Sequence, residues 1–126
     1  MGVPVQDTVE ITIPREPDFS IVAELVMGGI AARHDVTLDA LDDLQLALDS
    51  LLGHGGADGD VTIEIGVDAR SMLAAVGPVA AATAGELEAE AGESLGLRRL
   101  LDTVVDRVSV DRRDGSDWVE LTKGFA

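Results

Sequence analysis

Asp43-Leu-Gln-Leu-Ala-Leu-Asp-Ser-Leu-Leu-Gly-His54 reads as the larger part of an amphipathic helix. Leu41, Leu44, Leu48, Leu51 and Leu52 recur at steps of three and four, Thr37 stands where an N-cap hydroxyl belongs, and Asp39 suits the positive helix start. A helix over 38–53 is therefore expected, ended by the glycine-rich turn 53–59. At ~100° per residue, Asp43, Ala47, Ser50 and His54 share a side roughly opposite the leucine stripe and form a polar face able to line a pocket.

Upstream, Thr8-Val-Glu-Ile-Thr-Ile13 alternates apolar and polar residues, the pattern of a half-buried strand. Pro14 and Pro17 close it. Asp18 is a candidate N-cap for a first helix over 18–33, in which Phe19, Val22, Val26 and Ile30 recur at helical spacing. Gly28-Gly29 weakens that helix and offers room for another backbone.

Downstream, Val61, Ile63, Ile65 and Val67 alternate as a strand, Asp68-Ala-Arg-Ser71 is a turn, and Met72–Val76 a third strand. Residues 79–92 are Ala-rich and then acidic, with a weak apolar stripe, and are expected to be a variable, lid-like segment or a short helix. The Glu86, Glu88, Glu90 run within it reads as a solvated acidic loop. Ser94 is a candidate cap for a helix carrying Leu97, Leu100, Leu101, Val104 and Val105. Val108 and Val110 begin a strand, Asp114-Gly115 is a hairpin turn, and Trp118–Lys123 returns.

This order predicts an α/β fold: a two-layer sandwich with a mixed, mostly antiparallel sheet covered by helices on one face. The 126 residues are expected to make one domain, with a core of Val, Leu, Ile and Ala because aromatics are only 2%. No cysteine is available for a disulfide, a thiolate metal site or a thiol nucleophile, which suits a cytoplasmic protein. Residues 1–7 lack the basic start and apolar run of a signal peptide, and no run approaches the ~20 apolar residues of a membrane span. With 24 acidic against 9 basic residues the net charge is −15, which repels nucleic acid and anionic lipid and suits a basic protein partner. His34 and His54 show no metal-ligand spacing, and no serine sits in a nucleophile elbow.

The frame Asp43, Leu44, Leu46, Ala47, Leu48, the block Ser94-Leu-Gly-Leu97 and the hairpin after it resemble the GHKL (histidine-kinase-like, Bergerat) ATPase fold. More narrowly, they look like the anti-sigma-factor serine kinases of bacterial partner switching, over residues 8–123. The resemblance implies an ATP site in which a Glu of the second helix acts as base and an Asn one turn later holds Mg2+. Those positions are Ser50 and His54 here. Serine cannot take a proton as a carboxylate does, Asp49 points about 100° away, and hard Mg2+ prefers oxygen to imidazole. The adenine-binding Asp falls at Ala75 in Ala75-Val-Gly-Pro-Val79, where Gly77 is kept and the last glycine is Val79. The phosphate-binding start of the late helix keeps Gly96, with Arg98 beside it.

The expected function is a non-catalytic regulator that binds a sigma factor or a STAS-type anti-anti-sigma protein, with no catalytic residue and no cofactor. A homodimer is compatible with the resemblance. The vestigial site would comprise Ser50, His54, Ala75, Gly77, Gly96 and Arg98. The alternatives are an ATP- and Mg2+-dependent serine/threonine kinase that phosphorylates a STAS antagonist, and a small domain binding a ligand other than ATP.

Overall fold

The structure is a computed structural model that describes residues 7–54, 59–88 and 96–125. The strands are β1 (Asp7–Pro14), β2 (Asp60–Val67), β3 (Ser71–Val79), β4 (Arg107–Arg113) and β5 (Ser116–Gly124). The helices are α1 (Ser20–Arg33), α2 (Leu38–Leu52), α3 (Ala81–Glu88) and α4 (Leu97–Val104). The strands lie in the order β1-β2-β3-β5-β4. Every neighbouring pair is antiparallel, so the sheet is not mixed as expected. The α1–α2 hairpin is the reason: it returns the chain to the end at which β1 finished, where Pro14 pairs with Asp60.

The period of two in the strands puts one apolar row after another across the sheet. Val9, Ile65, Ala74, Leu121 and Val108 align across all five strands, and Ile11, Ile63, Val76, Val119 and Val110 form the next row. Residues of all four helices join these rows in one core, which gives a two-layer α/β sandwich. The other face of the sheet carries Thr8, Glu10, Thr12, Thr62 and Glu64, and no helix covers it among the described residues. The β4–β5 hairpin turns at Asp114 (φ 51°) and Gly115 (φ 80°). Two successive left-handed residues are what a two-residue type I′ turn demands, so the Asp-Gly reading holds.

In α2, Thr37 Oγ1 accepts a hydrogen bond from Ala40 N at 3.3 Å, the expected cap. Leu44, Leu48 and Leu51 are buried, and Leu41 and Leu52 pack against the core. Ala47 is fully buried as well, which corrects the expectation that it lies on a polar face opposite the leucines. Four residues amount to only ~40° of rotation, so Ala47 stays close to the direction of Leu51.

Helix α1 departs further from its reading. Asp18 belongs to a 3-10 turn, Pro17–Phe19, and does not cap the helix; Ser20 Oγ donates to Pro17 O at 2.9 Å. Phe19 and Val22 are exposed, and Ala23, Met27, Ile30 and Ala31 are buried instead. The helix is apolar around most of its circumference, so spacing alone does not select the face that packs. A Cβ on Gly28 or Gly29 would meet nothing within 4 Å, so no backbone approaches there. The Ala-rich stretch forms α3 from Ala81 to Glu88, with Thr83, Ala84 and Leu87 buried, while 89–92 and Ser94 lie outside the described residues. Among the described residues no helix is long and apolar enough to cross a membrane.

Candidate functional site

The C-terminal end of α2 faces the start of α4 across an open depression of about 530 Å3 lined by Asp49, Ser50, Gly53, His54, Gly96, Leu97 and Leu100. Three of the six expected site residues, Ser50, His54 and Gly96, therefore come together. Their chemistry is already engaged. Ser50 Oγ donates to Leu46 O at 2.8 Å, a back-bond within its own helix. His54 Nε2 lies 2.9 Å from Glu86 Oε2, and Leu97 N donates to Glu86 Oε1 at 3.4 Å.

Glu86 is thus no solvated loop residue. It projects from α3, and its carboxylate meets the first N–H of α4, the end of a helix where an anion is stabilised. Sequence reading missed this because the acidic run offers no strong stripe. The available signal was Ala80–Ala84, whose helix propensity extends to Glu86, one residue and ~100° from the buried Leu87.

Arg98 does not face the depression as a phosphate ligand. Its Nε donates to both carboxylate oxygens of Asp102 at 2.9 and 3.1 Å, and its Nη1 donates to Leu87 O, so it fastens α3 to α4. Asp43 has a structural partner too: Lys123 Nζ lies 3.0 Å from Asp43 Oδ2 and donates to Val104 O at 3.0 Å.

Ala75 and Gly77 lie on the other face of the sheet, which corrects the expected six-residue site. Strand alternation decides it: Met72, Ala74 and Val76 point into the core, so Ala75 stands outside between Glu64 of β2 and Glu120 of β5. A Cβ on Gly77 would sit 2.2 Å from Trp118 Cδ2, so this glycine makes room for an indole. Arg113 lies over the same ring at 4.5 Å, a cation–π distance, and pairs with Glu64 at 2.9 Å and Asp111 at 3.3 Å. Burial opposes the charge of Arg113, but its bonds to Glu64 and Asp111 and the field of Glu120 raise its pKa.

A second cleft, about 130 Å3, lies beside Arg15, Ser20, Asp49 and Leu52. It falls below the ~300 Å3 at which small-molecule pockets begin. Asp49 lines both this cleft and the depression at Ser50, and its carboxyl meets that of Glu24 in α1. Its Oδ1 is buried without a hydrogen-bond donor, and the neighbouring carboxyl is Glu24. A hydrogen bond to Asp49 from the protonated form, then burial, then repulsion between the two charges raise the pKa of Glu24 to about 6.

The folded chain therefore holds this proton to higher pH than the unfolded chain, whose value is near 4.5. The stabilisation is complete below the unfolded value and is lost as pH rises through 6. Relative to Glu24→Gln, which keeps a permanent donor, wild-type stability is expected to fall by about 1 kcal/mol between pH 4.5 and 6.5, after allowance for solvent around the pair. Urea melts of both proteins across that range check it; parallel curves would refute the shared proton.

Among the described residues no group of three or more His, Cys, Asp or Glu could hold a metal ion. In the comparisons with known proteins, no family model matches the chain and no curated protein matches it.

Proposed function

We propose that this chain is a non-catalytic regulator of the anti-sigma type, a histidine-kinase-like fold that acts by reversible binding to another protein, either a sigma factor or a STAS-type antagonist. One observation carries the non-catalytic part: a side chain of the protein, Glu86, occupies the helix start where the resemblance would put nucleotide phosphates. A phosphate brought there would meet a carboxylate at close range, a like-charge contact that costs rather than contributes energy. The residues nearby do not repair the misfit. Ser50 offers no base and spends its hydroxyl on Leu46 O, His54 offers nitrogen where Mg2+ prefers oxygen, and Ala75 lies on the far side of the sheet. ATP and Mg2+ therefore do not fit this site.

The protein-binding part draws support from the surface. Ile21 and Leu25 of α1 and Leu38 and Leu46 of α2 are exposed. Exposed apolar side chains grouped in this way favour association over catalysis.

Thermal unfolding with and without millimolar Mg-ATP tests the reading. No displacement of Tm is expected. A ligand at 100 times its Kd stabilises a fold by about 2.7 kcal/mol, so a nucleotide bound even weakly in this range would register, and a clear upward shift would restore the kinase reading.

A further inference from the structure

Helix α1 has two apolar faces, and only one is used by the core. At ~100° per residue the buried Ala23, Met27, Ile30 and Ala31 define one side, and Ile21, Val22, Leu25, Gly29 and Ala32 lie on the opposite side. Leu25 is 69% exposed. Helix α2 continues this surface, with Leu38 at 70% and Leu46 at 48% exposure. The two helices run side by side at this level: Gln45 Nε2, adjacent to Leu46, donates to Glu24 O, adjacent to Leu25, at 3.1 Å. The link 34–37 returns Leu38 to the C-terminal end of α1, where Val36 N donates to Ala31 O at 3.0 Å.

The rim of this surface has one sign. From Glu16 to Asp49 the chain carries eight carboxylates and one guanidinium, Arg33, and Arg33 is paired with Asp7 at 3.3 Å. Asp18, Asp35 and Asp39 are exposed around the apolar residues, and the exposed Asp42 stands between Leu38 and Leu46, four residues from each. A second copy docked through the same face would set these carboxylates against each other, and an anionic membrane would be repelled in the same way. A chain with apolar anchors and a cationic border meets both requirements. Two helices packed side by side present an extended face along which a partner helix can lie.

We propose that the outer face of α1 with Leu38 and Leu46 of α2 is the docking surface of this protein, and that its occupant is a basic amphipathic helix of a partner protein. The proposal rests on the regulator reading and specifies where and by what chemistry that binding occurs.

The test uses the full chain and a synthetic peptide of Leu and Lys, about 18 residues long, with leucines at helical spacing. Two controls accompany it: the Leu/Glu counterpart, and a Leu/Lys isomer with its leucines scrambled off the stripe. The striped cationic peptide is expected to bind saturably at one per chain, with amide NMR shifts concentrated in α1 and α2. The double variant Leu25→Ser/Leu38→Ser is expected to weaken it at least tenfold with Tm unchanged, since both side chains are solvent-exposed. Equal binding of the scrambled isomer, shifts centred elsewhere, absence of binding, or sedimentation as a dimer that protects α1 would each overturn the proposal. The Mg-ATP melt separates the two failures. If docking is lost while Mg-ATP leaves Tm unchanged, only the surface assignment falls; if Mg-ATP stabilises the chain, the regulator reading itself falls.

Discussion

Leu48→Ala is expected to destabilise the chain by about 2–5 kcal/mol, enough to remove a large share of the ~5–15 kcal/mol typical of a domain this size. Leu48 is fully buried at the centre of α2, and α2 packs on both α1 and α4 and on the middle of the sheet. With aromatics at 2% of the chain, no large ring is at hand to collapse into the space left. The loss therefore includes the cavity as well as the transferred surface. Ser50→Ala, half a turn further on, is the control. Its hydroxyl only back-bonds to Leu46 O, so its removal is expected to change stability by less than ~0.5 kcal/mol. Urea denaturation of the two variants measures both values. Comparable losses at the two positions would mean that the Ser50 hydroxyl belongs to a cooperative polar network.

The contrast between these neighbouring residues also shows what was legible in the chain. Where one face of an element is apolar and the other polar, the period fixes both the element and its orientation. That is why α2, the alternating strands β1 and β2 and the Asp114-Gly115 hairpin could be read directly. Helix α1 defeats the method because Ile21, Val22 and Leu25 are as apolar as Met27 and Ile30. Existence of the helix follows from such a pattern, but phase does not. Phe19 and Val22, which their spacing assigns to the core stripe, are exposed together with Ile21 and Leu25.

The site was legible only in part, for related reasons. Ser50, His54 and Gly96 were singled out by the family resemblance, and the leucine patterns place the helix ends that bring them together. Glu86 was missed because α3 is short and its apolar stripe is weak, and its role depends on a contact across 32 residues of sequence to His54. Ala75 was misplaced because linear correspondence to a motif ignores the strand period, and a shift of one residue on a strand exchanges the two faces of the sheet.

Gly77→Ala supplies the sharpest test of that last point. Its Cβ would stand 2.2–2.5 Å from three atoms of the Trp118 ring, well inside contact distance, so the indole must move off the sheet and leave the stacking position under Arg113. Overpacking of this kind costs about 1–3 kcal/mol. On a strand the change from glycine to alanine would otherwise be favourable, because glycine loses more backbone freedom on folding. The Trp118→Ala background separates the two contributions: with the ring gone, the same Gly77→Ala change is expected to cost less than ~0.5 kcal/mol or to stabilise the chain. A double-mutant cycle in urea reads the difference directly, as a coupling of about 1–3 kcal/mol between positions 77 and 118. Were Gly77 instead the remnant of a nucleotide-binding turn, the coupling to Trp118 would vanish and the substitution would act on Mg-ATP affinity. A large coupling therefore assigns this glycine to sheet packing on the face away from Ser50 and His54. It would leave the fold without any remaining glycine of the adenine motif, since Val79 already stands at the other position.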